Sequence, residues 1–238
     1  LLGTTMFTGN TATENGGAIY NSGGTIMFEE NSTATFKENT ASMSGGAIYN
    51  SGRITFGSTA TFTSNKATNG SGGAIGNGAL GTTTFDGIAE FIGNEAKEGG
   101  AIWNYGTITF NNAFTFSDNV ATSGKGADIS NLVSTVTFAQ GAGKVGSLDG
   151  GIYNAAGTIQ KIGLGTLILG DNMVNGWENV GDKIPTYTQT AGLTIAKAEK
   201  FTLGSTQTIS GQDTELRLHG STLSGLNVTV SDNAMLTY

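Results

Sequence analysis

Few residues in this chain are equipped for chemistry. His219 is the only histidine, so a serine–histidine–carboxylate relay would have to pass through it. It ends the alternating run Leu216-Arg217-Leu218-His219, where it is expected to point outward from a strand. Arginine occurs only at Arg53 and Arg217, too few for the basic cleft of a lyase or a phosphate site. With no cysteine there is neither a disulfide framework nor a thiolate metal site. The pair Gly16-Gly17 and its later copies lack the Gly-Lys-Ser/Thr ending of a phosphate loop. A net charge of −7 and a pI near 4.6, without a basic patch, disfavour nucleic acid as a partner. Carboxylates remain, and a glycosidase needs two of them about 5–9.5 Å apart. Whether any two meet depends on the elements that carry them.

Those elements repeat. The block Gly16-Gly17-Ala18-Ile19-Tyr20-Asn21 recurs at Gly45 to Asn50, Gly72 to Asn77 and Gly99 to Asn104, and in degenerate form at Gly126 to Asn131 and Gly150 to Asn154. A second block, Phe-x-x-Asn, keeps step at Phe7/Asn10, Phe36/Asn39, Phe62/Asn65, Phe91/Asn94 and Phe116/Asn119. Between them runs a β-branched segment ending in Phe28, Phe56, Phe85, Phe110 and Phe138. Apolar residues alternate within each piece, no 3.6-residue stripe occurs, and 39 glycines oppose helix. The pattern predicts an all-β, right-handed parallel β-helix (a solenoid) with three short strands per coil and about 23–29 residues per coil. Each Ile and Phe then stacks on its equivalent one coil away, about 4.8 Å distant. Asn21, Asn50, Asn77, Asn104, Asn131 and Asn154 are expected to form a structural ladder at a turn.

Residues 1–157 carry the regular repeats. From 158 to 238 the strand pattern continues less regularly, with a protruding loop expected near 172–188, where Trp177 and the only proline, Pro185, lie. No apolar run approaches the roughly 20 residues of a membrane helix. The chain opens and closes in mid-pattern and reads as part of a longer protein, its strand edges inviting end-to-end association.

On this solenoid the carboxylates separate. Glu38 and Asp118 fall in coils that are not adjacent, Glu95 falls beside Lys66, and Glu29, Glu30 and Glu98 read as corner charges. No catalytic, cofactor-binding or metal-binding residue is assigned. Two outward features remain. Tyr20, Tyr49, Trp103 and Tyr153 follow the repeated Ile and would form a broken aromatic column, which with Trp177 is a candidate binding surface. Thr25, Thr82, Thr107 and Thr135 lie two positions before Met27, Thr84, Thr109 and Thr137, a Thr-x-Thr array of the kind some ice-binding solenoids present.

The Gly-Gly-Ala-Ile and Phe-x-x-Asn blocks resemble the repeat of the chlamydial polymorphic membrane proteins over about residues 1–157. Gly163-Leu-Gly-Thr-Leu-Ile-Leu-Gly-Asp-Asn172, with Ala191-Gly192-Leu193, resembles the autotransporter-associated β-strand repeat. Both resemblances imply a bacterial autotransporter-type passenger, secreted or held at the outer-membrane surface through a barrel outside these residues. They imply a non-catalytic structural or adhesion module, with a surface protein or glycan of a host or neighbouring cell, or a second copy, as partner. Ice binding and a β-helical polysaccharide-degrading enzyme are the alternatives.

Overall fold

A computed structural model describes residues 1, 3–170, 176–197, 205–219 and 227–238. Strands of two to six residues alternate with Gly- and Asn-rich corners, and every strand pairing among the described residues is parallel. Four sheets result. Sheet A holds ten strands, from Thr4–Thr8 to Met235–Thr237. Sheet B holds five, from Thr11–Ala12 to Val120–Lys125, and sheet C seven, from Ile19–Asn21 to Gly176–Glu178. Sheet D holds nine, from Thr25–Phe28 to Asn227–Ser231. In the first five coils the chain visits A, B, C and D in turn, then returns one coil along the stack, and the later coils omit B. The result is a parallel β-solenoid, with no helix among the described residues.

The expectation of three strands per coil is corrected by sheet B. The first five coils carry a fourth strand, mostly two to four residues long, too short to register as alternation in the sequence. It is bounded by two left-handed corners. Gly9, Glu38, Ser64, Gly93 and Asp118 precede it with φ of 54–66°, and Gly16, Gly45, Gly72, Gly99 and Gly126 follow it with φ of 57–71°. At the second corner only glycine fits, since a Cβ on Gly45 would lie 2.1 Å from the Ile48 carbonyl oxygen.

Alternation sends the Phe residues inward. Phe7, Phe36, Phe62, Phe91 and Phe116 stack in sheet A with ring centroids 4.4–4.9 Å apart. Phe28, Phe56, Phe85 and Phe110 stack in sheet D at 4.8–5.0 Å, and Phe138 follows at 5.7 Å. The two columns meet edge to face across the interior at 5.7–6.5 Å. Such pairs add about 0.5–1.5 kcal/mol each beyond their burial. Ile48, Ile75, Ile102, Ile129 and Ile152 are fully buried beside them, while Ile19, in the first coil, is partly covered.

Past Phe138 the interior turns polar. Its column continues in register as Lys161, Gln189 and Ile209, and the neighbouring column runs Ile159, Tyr187, Gln207. Lys161 is buried, its Nζ donating to the carbonyls of Gly163 and Ala191, and burial pushes its pKa down to about 8. The Tyr187 hydroxyl donates to Gln189 Oε1 at 3.1 Å, and Gln189 Nε2 donates to the carbonyls of Gly192 and Glu215.

The stretch 172–188, expected to leave the surface, divides differently. Residues 171–175 lie outside the described residues, Gly176–Glu178 joins sheet C and Thr186–Gln189 joins sheet D. Among the described residues of this stretch, only the segment around the Val180–Lys183 bridge stands apart. The correction has a simple cause: Tyr187 and Gln189 point inward as a strand demands, but Gln189 is polar and hides the alternation.

Candidate functional site

Two amide ladders fix the corners from which any surface residue projects. Asn21 Nδ2 donates to Asn50 Oδ1 at 2.8 Å, and the chain continues Asn50 to Asn77, Asn77 to Asn104, Asn104 to Asn131 and Asn131 to Asn154 at 2.8–3.1 Å. All six residues are buried. In the next coil Trp177 stands in register with Asn154, so the series stops there.

A second ladder joins Asn10, Asn39, Asn65, Asn94 and Asn119 at 2.8–3.0 Å. The phased Phe-x-x-Asn block was its signal. It terminates on Asp128, which replaces the alanine of the Gly-Gly-Ala-Ile block. Asn119 Nδ2 donates to Asp128 Oδ1 at 2.9 Å, and the Gly150 N–H donates to Oδ2 at 2.7 Å. Burial pushes the Asp128 carboxyl up to about 6, against the pull of these hydrogen bonds. With both oxygens engaged, Asp128 caps a ladder.

Among the described residues, the other acids singled out lie at or near the surface. Glu95 meets Lys66 at 2.7 Å in an exposed ion pair. Asp86 and Glu30 line an open cleft, both exposed, and Asp86 accepts from Asn111 Nδ2 at 2.7 Å. His219 is exposed just beyond the strand Thr214–Leu218. Among the described residues no group of three or more His, Cys, Asp or Glu is placed to hold a metal ion.

The aromatic series is graded. Tyr20 is 59% exposed and stacks on the partly buried Tyr49 at 5.4 Å. Gly76 follows in register, and its missing Cβ leaves room for the Tyr49 ring to lie across it. Trp103 is partly buried and stacks with Tyr105 at 5.9 Å and 5°. Tyr105, 44% exposed, was not singled out by the repeat, because it lies just after the Asn. Tyr153 keeps the outward position of the series but is covered. It is only 8% exposed, its hydroxyl donating to Glu178 and its ring covered by Lys125 Nζ at 4.8 Å. Trp177 sits in a strand of sheet C and is 37% exposed.

The threonine array is longer than the repeat alone indicates. Thr82, Thr107, Thr135, Thr158, Thr186 and Thr206 form one column of sheet D in register. Thr55, Thr84, Thr109 and Thr137 form the second, which Gln160 interrupts before Thr188, Thr208 and Thr229.

Residues 4–22 and 25–51 match the Chlamydia polymorphic membrane protein repeat, the segment that contains the first two Phe-x-x-Asn and Gly-Gly-Ala-Ile-Tyr-Asn blocks. No curated protein and no solved structure matches the chain.

Proposed function

We propose that this chain is a non-catalytic passenger module, displayed at a bacterial surface or secreted, which presents its flank to a protein or glycan on a host or neighbouring cell. The observation that carries the reading is the pair of stacked aromatics, Tyr20 on Tyr49 and Trp103 on Tyr105, held on a frame whose corners are pinned by amide ladders. Rigid, half-exposed aromatic side chains supply contact area at low entropic cost. The match to the Chlamydia polymorphic membrane protein repeat supports surface display. A glycan array and a cell-binding assay test this. Trp103→Ala with Tyr105→Ala is expected to lose most of the binding while the far-UV spectrum stays that of the parent. Retained binding would remove the aromatic flank from the account, and sugar release from a polysaccharide panel would replace it with an enzyme.

The in-register threonine columns favour one second reading, ice binding. Neighbouring strands lie about 4.8 Å apart and alternate residues about 6.6 Å apart, so the two threonine columns are regularly spaced. Thermal hysteresis in dilute solution is the outcome that would select it.

A further inference from the structure

Sheet B ends inside the molecule. Its fifth strand, Val120–Lys125, pairs with Glu95–Glu98 on one side and with no described strand on the other. The sixth coil omits sheet B altogether, running from the sheet A strand Val145–Leu148 through Asp149, Gly150 and Gly151 straight into Ile152–Ala155 of sheet C. Ladder spacing records the omission: Asn131 and Asn154 are 23 residues apart, where the three preceding intervals are 27. The shortcut leaves a ledge, a cavity of about 350 Å³ whose floor includes Asn119, Ala121 and Gly124 and whose walls include Asp118 and Asp149.

The backbone on that ledge is arranged for one more strand. In earlier coils the carbonyl of each ladder Asn accepts from the next coil, as Asn94 O does from the Val120 N–H at 2.8 Å. The carbonyl of the sheet B alanine does the same, as Ala41 O does from the Thr68 N–H at 3.0 Å. Asn119 and Ala121 hold these positions on the ledge, where no described strand follows. Sheet B also states what it accepts: inward positions are Ala41, Ala67 and Ala96, all buried, and a cation stands beside an acid where Lys66 meets Glu95.

We infer that the ledge takes an extended peptide from a partner protein, added parallel to Val120–Lys125 as a sixth strand of sheet B. Its N–H groups bond the carbonyls of Asn119 and Ala121, a small side chain covers Ala121, and a basic side chain lies beside Asp118. The acidic rim selects the basic residue. The ledge does not depend on the aromatic flank.

The probe is the capped peptide Lys-Gly-Val-Ala-Thr, aligned with residues 118–122, with glycine opposite Asn119 because Asp128 already fills the next amide rung. Titrated at millimolar concentration into the isotopically labelled chain, it is expected to shift the amides of residues 118–127 and 149–151 and leave those around Tyr20 and Trp103 unmoved. N-methylation of its Val amide, which removes the bond to the Asn119 carbonyl, should abolish the shifts. Asp118→Asn should weaken binding by about threefold or more, since it removes one exposed charge pair. No shift on the ledge would overturn the proposal. So would equal binding of the N-methylated peptide, or calcium chloride alone producing the same shifts, which would make the ledge a cation site.

Discussion

The Asn77 carboxamide occupies the middle of the first ladder. It accepts from Asn50 at 3.1 Å and from the Thr83 hydroxyl at 3.1 Å, and donates to Asn104 and to the carbonyls of Gly81 and Thr107. Truncation strands partners in two coils, so Asn77→Ala is expected to cost roughly 1–3 kcal/mol in a denaturant melt. Trp103→Ala, which removes a partly exposed ring, should cost less. The reverse order would mean that the aromatic flank is core. Asp128 makes the second residue-level statement. Its folded-state pKa of about 6 lies above the unfolded value of 3.8, so its contribution is fully present below pH 3.8 and lost as pH rises through 6. The parent should therefore gain stability relative to Asp128→Asn between pH 7 and pH 4, by about 2–3 kcal/mol. A difference that stays flat across that window would show the carboxyl to be well solvated.

At the scale of the strand and its corner, left-handed positions divide into two kinds. Gly73, beside the left-handed Gly72, approaches the next coil so closely that a Cβ would lie 2.2 Å from the Gly100 carbonyl oxygen. Gly73→Ala must push two coils apart, a cost of about 3 kcal/mol by analogy with overpacked cores. Ser64 holds φ of 54° at the other corner, where its equivalents include Gly9 and Gly93. Ser64→Gly relieves a backbone cost of about 1–2 kcal/mol against the extra freedom glycine brings to the unfolded chain, and is expected to stabilise slightly. Thermal melts of the two variants should shift in opposite directions. Failure of Gly73→Ala to destabilise would contradict the coil spacing.

Over the whole molecule, stability is a sum of coil-to-coil interfaces. In the first five coils those interfaces are stacked phenylalanines and unbroken amide ladders. From Lys161 onward they contain buried polar groups, and the amide of Gln207 and the hydroxyl of Thr214 are buried with no hydrogen-bond partner. An unpaired buried polar group costs roughly 1–3 kcal/mol. Hydrogen exchange should therefore find the strands Thr59–Thr63 and Thr82–Phe85 more protected than Thr206–Ser210 and Thr214–Leu218. Uniform protection along the stack would show that it unfolds as one unit.

What the sequence determined by itself is whatever depends on the nearest residues along the chain. Alternation places Phe36, Phe62 and Ile75 inside, and the phase of the blocks sets which residue lies over which, as Phe36 over Phe62 and Asn50 beside Asn77. Three features were decided only by tertiary structure, because each depends on what a neighbouring coil does. Sheet B is too short to alternate and exists because two left-handed corners bring Lys66 beside Glu95. Tyr153 occupies the same outward position as Tyr20, yet Lys125 from the longer coil before it and Glu178 from the coil after it cover the ring. The ledge arises because the sixth coil is one strand shorter than the fifth. Local pattern states which face of a strand a side chain takes. Whether that face meets water or another coil depends on the lengths of segments more than 20 residues away, joined to it by hydrogen bonds that no local pattern records.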